Sequence, residues 1–261
     1  MPEQDRPTPT YPDLSGKVAL LTGGSKGIGA ETARRLAANG VKVAVVARSQ
    51  PAIDEVVGEL TASGADAIGI SADCGDSDEI ERMCRRTEEQ LGPIDILLPF
   101  AGGFGTFTPI EQISVEEWRT VIEDNLSSTF LAVRAVVPSM IERRSGAIVT
   151  MASNGGRYLD KLLTASYAAA KAGVVQFTRH IAMELGPHNV RANSIAPATV
   201  RSERIDRIMD QQAQAKVAEM SPLGRMGTPS DCALATLFLV SDSASWLTGV
   251  TLDIAGGRIM L

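Results

Sequence analysis

Tyr167 and Lys171 stand four residues apart in the run Ser166-Tyr167-Ala168-Ala169-Ala170-Lys171. On a helix this spacing places both side chains on one face. The intervening alanines favour the helix and leave room around the pair. An ammonium close to a phenol favours the phenolate and draws the tyrosine pKa down from its reference of about 10. A tyrosine tuned this way can donate or accept a proton at working pH. Alone, the pair is a common surface pattern. Its weight comes from the rest of the chain.

A glycine-rich turn, Thr22-Gly23-Gly24-Ser25-Lys26-Gly27-Ile28-Gly29, follows the first apolar run. Glycines at a strand-to-helix turn let backbone approach a pyrophosphate, and the helix N-terminus adds N–H groups and positive partial charge. Gly23, Ser25, Lys26, Gly27, Ile28 and Gly29 are therefore candidate cofactor contacts. The spacing is Gly-x-x-x-Gly-x-Gly, not the commoner G-x-G-x-x-G. The second apolar run ends in Ala47-Arg48-Ser49, a base where the common fingerprint predicts an acid for the ribose 2′-hydroxyl. Arg48 can fork onto a 2′-phosphate and Lys26 can add a second charge, which points to NADP over NAD. The bland alternative is two solvated surface charges.

The elements that must position these groups alternate. Short apolar runs at 18–21, 41–47, 67–72, 94–98, 147–151, 190–195 and 250–254 read as strands. Amphipathic stretches at 27–39, 52–63, 77–90, 164–185 and 229–240 read as helices, with two more inside 114–142. Ser77 is the expected N-cap of its helix, and Gly40 and Gly64 are helix stops. Strands apolar on both faces and separated by helices imply a parallel sheet covered on each side. The fold class is α/β: a single-domain, Rossmann-type, doubly wound parallel sheet of about seven strands with helices on both faces. Residues 1–13 are expected as a flexible tail and 14–261 as the domain, with a helical insertion at 201–220 acting as a substrate lid.

Composition narrows the function. Net charge is -6 with no basic tract, which argues against nucleic acid or an anionic membrane as partner. Cys74, Cys84 and Cys232 form no metal-like cluster with His180 and His188, so no metal is expected, and a reducing compartment is implied. There is no apolar h-region at the start and no run near the roughly 20 residues needed to span a bilayer. A soluble cytoplasmic protein is expected.

In order along the chain, the Thr22–Gly29 turn, Asp73, Ala101-Gly102, Asn125, Ser153, Tyr167 with Lys171, and Asn193 with Pro197 resemble the motifs of the classical short-chain dehydrogenase/reductases, over about 14–257. The resemblance implies roles. Ser153 would hydrogen-bond the substrate carbonyl oxygen. Tyr167 would be the general acid in reduction and the base in oxidation. Lys171 would lower the Tyr167 pKa and hold the nicotinamide ribose, and Asn125 would anchor a water joining Lys171 to solvent. Asp73 with its neighbour Cys74 would meet the adenine end, and Arg48 and Ser49 the adenosine ribose. Ala101-Gly102 would pass beneath the cofactor, and Pro197, Val200 and Ser202 would line its nicotinamide side. A homotetramer or dimer is implied, with contacts from 114–142 and 164–185.

The chain departs from the family pattern at five places, one of them Ser202 where the family usually has a threonine. Pro99-Phe100 replaces two asparagines after the fourth strand, Ala198 replaces a glycine, Ala255 replaces an acid, and the Ser153-to-Tyr167 gap is one residue longer. None removes a catalytic group. The expected activity is an NADP-dependent ketone reductase, reversible as an alcohol dehydrogenase, with a 3-oxoacyl thioester as the leading substrate. The substrate-pocket wall is read as Gly103, Phe104, Phe107, Tyr158, Leu159, Leu162, Leu163 and parts of 201–220. Other secondary alcohols (sugar, steroid), quinones, or a dinucleotide-binding scaffold without turnover are the alternatives.

Overall fold

The structure, a computed structural model, describes residues 8–105, 107–159 and 163–260. Seven strands form one parallel sheet in the order β3-β2-β1-β4-β5-β6-β7. They are β1 Val18–Thr22, β2 Lys42–Ala47, β3 Ala67–Ser71, β4 Ile96–Pro99, β5 Gly146–Met151, β6 Val190–Pro197 and β7 Thr251–Ile254. The helices are α1 Gly27–Ala37, α2 Gln50–Ala62, α3 Ser77–Leu91, α4 Val115–Ile122, α5 Ser128–Arg143, α6 Ala165–Leu185, α7 Glu203–Ile208, α8 Gln211–Glu219 and α9 Pro229–Val240.

Strand periodicity explains the two cores. Ala19 and Leu21 of β1, Val43 and Val45 of β2, and Ile96 and Leu98 of β4 share one core with residues of α1, α2 and α9. Leu20, Ala44, Val46 and Leu97 point the other way, into a core with α3, α5 and α6. Successive side chains on a strand face opposite sides, so a strand between two helical layers must be apolar throughout. Each large aliphatic side chain buried in this way contributes roughly 1.5–3 kcal/mol.

Several boundaries differ from expectation for local reasons. The α3 N-cap is Asp76, not Ser77. Its Oδ1 accepts from the N–H groups of Asp78 (2.8 Å) and Glu79 (3.0 Å), a carboxylate serving two orphan donors. Between α4 and α5 the chain makes a π-helical turn, Glu123–Ser127. Strand β4 runs to Pro99, which sits opposite Thr22 of β1. Beyond it, Phe100 N–H turns back to Leu98 O (2.9 Å), and Ala101 N–H goes to Thr22 Oγ1 (3.1 Å). The threonine hydroxyl thus ties the end of β4 to β1. Pairing of β4 with β5 stops at Leu97 opposite Ile148.

Of the expected tail, residues 1–7 lie outside the described residues, as does Leu261. From Thr8 onward it is bonded to the body. Thr8 Oγ1 accepts from Arg35 Nη1 (2.6 Å), Tyr11 N–H donates to Asn39 Oδ1 (2.7 Å), and Leu14 is fully buried. The 201–220 segment forms α7 and α8. Ile205 and Val217 join Met226 in a small core against which Phe104 and Met209 pack. Among the described residues no helix is long and apolar enough to cross a membrane.

Candidate active site

Helix α6 starts at its cap, Thr164, whose Oγ1 accepts the N–H of Tyr167 (3.3 Å). This first turn carries Tyr167, 8% exposed, and the next carries Lys171, 3% exposed. Lys171 Nζ donates to Met151 O at the end of β5 (2.8 Å) and lies 5.7 Å from the centroid of the Tyr167 ring. Burial pushes the Lys171 ammonium down to about 8. Ser153 follows Met151 by two residues, so one lysine bonds the helix bearing the tyrosine to the strand that leads into the serine. The Ser153 Oγ accepts from Gly155 N–H (3.2 Å), which leaves the hydroxyl proton for another acceptor. The Phe104 ring meets Tyr167 edge-on, centroids 6.0 Å apart at 68°.

Asn125 sits in the π-helical turn, an interruption frequent at functional sites. Its Oδ1 accepts from Gly103 N–H (3.1 Å), and its Nδ2 donates to Gly103 O (3.0 Å) and Val121 O (2.9 Å). Both amide hydrogens are therefore spent on carbonyls, and the side chain pins the loop after β4. A water expected at Asn125 has no side-chain donor left there.

A cavity of about 850 Å³ opens at the carboxyl ends of β1 to β4. Gly23, Ser25 and Lys26 form one part of its wall, and Arg48, Ser49, Asp73 and Cys74 another. Ala101, Gly102, Gly103, Phe104 and Asn125 close the far side. Gly23 has φ +67°, and a Cβ there would lie 2.8 Å from the Phe100 carbonyl, so the turn can approach β4 only without a side chain. The α1 N-cap, Lys26, makes no side-chain capping bond, which leaves first-turn N–H groups available to an anion. Lys26 and Arg48 are both exposed on the rim. This cradle suits a dinucleotide: uncapped donors and cations for phosphate, and an extended cleft where the strand order reverses. Cys74 in its wall is held as a thiol, its pKa pushed up to about 11, chiefly by burial.

Not every expected contact lines this cavity. Gly27, Ile28 and Gly29 lie in the first turn of α1, and the Ile28 side chain packs on the core. Pro197 ends β6, Val200 bridges to Gly227, and Ser202 Oγ caps α7 by accepting Ile205 N–H (3.3 Å). Ser153, Tyr167 and Lys171 stand beyond Phe104, which lines the cavity and meets Tyr167 edge-on. Leu162 of the expected pocket wall lies outside the described residues. Among the described residues no group of three or more His, Cys, Asp or Glu is placed to hold a metal ion.

A family model described as "Enoyl-(Acyl carrier protein) reductase" matches residues 23–258. The chain belongs to the short-chain dehydrogenase/reductase family. It is similar to a 3-oxoacyl-[acyl-carrier-protein] reductase of Synechocystis sp., at 36% identity over 95% of this chain and 98% of that protein. It is equally similar, at 36%, to a 2,3-dihydro-2,3-dihydroxybenzoate dehydrogenase of Bacillus subtilis, over 95% of this chain and 97% of that one. A solved 3-oxoacyl-[acyl-carrier protein] reductase of Brucella melitensis with bound NAD superposes with a TM-score of 0.89 at 29% identity, covering 96% and 94% of the two chains. As a family member the protein is an oxidoreductase of the ketoreductase kind that works with a nicotinamide dinucleotide.

Sequence reasoning missed the Met151 carbonyl and Arg157 as participants, and it placed Phe104 in the pocket wall without its contact to Tyr167. The Met151 carbonyl that holds Lys171 has no side-chain signature. The contact of Phe104 with Tyr167 joins the loop after β4 to the first turn of α6, far apart in sequence. Arg157, at the end of the Ser153 turn, pairs with Asp253 of β7, Nε to Oδ1 2.8 Å. The two glycines before Arg157 were the available signal for a close-packed turn.

Proposed function

We propose that the protein is an NADP(H)-dependent ketone reductase, reversible as a secondary-alcohol dehydrogenase, and that its substrate is a 3-oxoacyl thioester. The observation that carries this is the joining of buried Tyr167 and Lys171 to the end of β5 through the Lys171–Met151 bond, two residues before Ser153. The nicotinamide, when bound, supplies the hydride in reduction and accepts it in oxidation. Ser153 donates its free hydroxyl proton to the carbonyl oxygen, and Tyr167 passes its phenolic proton to the same oxygen as negative charge develops. The Lys171 ammonium stabilises the phenolate left behind. Gly23, Ser25, Gly27, Ile28 and Gly29 would hold the pyrophosphate by backbone, and Asp73, Cys74, Ala101 and Gly102 would lie along the adenosine half. Pro197, Val200 and Ser202 would border the nicotinamide.

NADP rather than NAD is favoured by Arg48 and Lys26, two exposed cations on the rim with no acid at the Arg48 position. The relative with NAD bound is the reason to measure both. An acyl substrate is favoured by the apolar surroundings: Phe104 over Tyr167, and exposed Phe107, Tyr158, Leu159 and Ile208 on flanking segments. The α7–α8 segment would close over it as a lid. A homotetramer or dimer through α4, α5 and α6 is supported by exposed Trp118, Phe130 and Met183 on those helices. Three buried free thiols suit a reducing, cytoplasmic setting.

The test is steady-state oxidation of NADPH and NADH against a 3-oxoacyl thioester, a simple ketone, a keto-sugar and a quinone. The proposal expects the highest kcat/KM for the thioester, with NADPH preferred by on the order of tenfold or more. NADPH binding without turnover of any compound would instead support a scaffold.

A further inference from the structure

The Ser153 turn is fixed at both ends, and only its beginning belongs to the family motif. After Ser153 the chain makes a single 3₁₀ turn, Asn154–Gly156, in which Gly155 N–H binds Ser153 Oγ and so sets the direction of the hydroxyl. The turn lies directly against α6 at the lysine. A Cβ on Gly156 would come within 2.5 Å of the Lys171 carbonyl carbon and 2.6 Å of Ala172 N. A displacement of the turn therefore moves the serine relative to the helix that carries Tyr167 and Lys171.

The exit of the turn is held by charge. Arg157 reaches past β6 to Asp253 on β7, Nε to Oδ1 2.8 Å, with the two side chains 13% and 20% exposed. Asp253 is in register with Ala196 of β6, which packs with Val174 and Val175 of α6, so the pair lies on the α6 side of the sheet. The approach is ionic rather than a directed hydrogen bond, because neither atom meets hydrogen-bond geometry. Beyond Arg157 the chain emerges, with Tyr158 59% and Leu159 93% exposed. Arg157 is thus the last anchored side chain before the segment that flanks the site.

We infer that the Arg157–Asp253 pair is a positioning device for Ser153: it clamps the downstream end of the turn to the last strand and holds the hydroxyl in register with Tyr167. The inference rests on the reading of Ser153 as the carbonyl-binding hydroxyl. A pair this sheltered is expensive to break, since the surviving charge is left without its partner. Neither Arg157 nor Asp253 lines the cavity at the ends of β1 to β4 that is read as the adenosine and pyrophosphate cradle.

The test is a double-mutant cycle. Asp253→Asn and Arg157→Met are each made in the wild type and in Ser153→Ala, and kcat is measured at saturating NADPH with NADPH Kd from fluorescence. Each single substitution is expected to lower kcat on the order of tenfold with Kd changed less than about twofold. In Ser153→Ala the same substitutions should change kcat less than about twofold, because the group they act through is gone. Arg157→Lys, which keeps the charge, should recover most of the rate. An equal fold-loss in both backgrounds, or a Kd that weakens in step with kcat, would overturn the positioning role while leaving the function of Ser153 intact. Full kcat in Ser153→Ala would overturn both.

Discussion

Lys171 must stay charged in a place that penalises charge. Its ammonium is 3% exposed, and burial lowers its pKa from 10.5 to about 8. Between those values the unfolded chain holds more protons than the folded one, so this group's contribution to stability rises with pH from about 8 toward 10.5. Unfolding free energy measured across that window should therefore climb in wild type relative to Lys171→Met. Activity should show the other side of the same charge. Without the ammonium the Tyr167 phenolate is less favoured, so the pH profile of alcohol oxidation in Lys171→Met should move to higher pH. A profile that stays in place would remove Lys171 from the proton chemistry. At the cavity rim, Arg48→Ala should raise KM for NADPH on the order of tenfold and leave NADH nearly unchanged. Equal weakening of both cofactors would show that Arg48 does not read the 2′-phosphate. At this scale Tyr167 and Lys171 were picked out by their spacing, and Ser153 by its place in the family's motif order. Their partners were not legible, because the Met151 O that accepts from Lys171 and the Gly155 N–H that donates to Ser153 are backbone groups whose roles exist only after folding.

Among the elements, α9 has the most complete start. Thr228 Oγ1 accepts Asp231 N–H (3.2 Å), and Asp231 returns the bond to Thr228 N–H (2.9 Å) while gripping Arg225 through both oxygens (2.6 and 2.8 Å). Burial alone would raise the Asp231 pKa. The hydrogen bonds from Arg225 and Thr228, with the Arg225 charge, outweigh it and hold the carboxyl well below the usual carboxylate range. A folded pKa below the unfolded value means stability present above about pH 4 and lost as pH falls below it. Urea midpoints at neutral and acidic pH should therefore converge between wild type and Asp231→Asn as acid is added, and a gap that persists would refute the assignment. The sequence showed α9 with its bounds because Thr228-Pro229 and Asp231 form a local signal. It misassigned the α3 cap because Asp76 and Ser77 are both good caps, and the choice is made by which oxygen reaches two N–H groups. The π-helical turn had no local signal, since it is stabilised by Asn125 reaching Gly103, 22 residues away.

For the whole molecule, the decisive feature is where the strand order reverses. The chain builds β1, β2 and β3 outward, returns to place β4 beside β1, and proceeds to β7. The cavity at the ends of β1 to β4 and the proposed proton-transfer groups, Ser153, Tyr167 and Lys171, therefore sit side by side, with Phe104 lining the one and touching Tyr167 of the other. The strand-helix alternation made a doubly wound parallel sheet readable but not its strand order, and past Pro99-Phe100 the Thr22 Oγ1 ties the end of β4 to β1. The proposed assembly rests on surface rather than on pattern. Phe130, 46% exposed, stacks edge-on with Phe177 at 6.3 Å, and Met183 is 67% exposed on the same helix as Phe177. Light scattering of Met183→Glu and Phe130→Glu should report a smaller species than wild type. An unchanged mass would place the interface elsewhere.

The most direct test of the account is kcat for ketone reduction by Tyr167→Phe, measured at saturating NADPH alongside NADPH affinity. The ring, its contact with Phe104 and the α6 cap all survive this change, and only the proton donor is lost. A fall in kcat on the order of a hundredfold to ten-thousandfold is expected, with affinity essentially unchanged. A Tyr167→Phe enzyme that keeps its rate would contradict it.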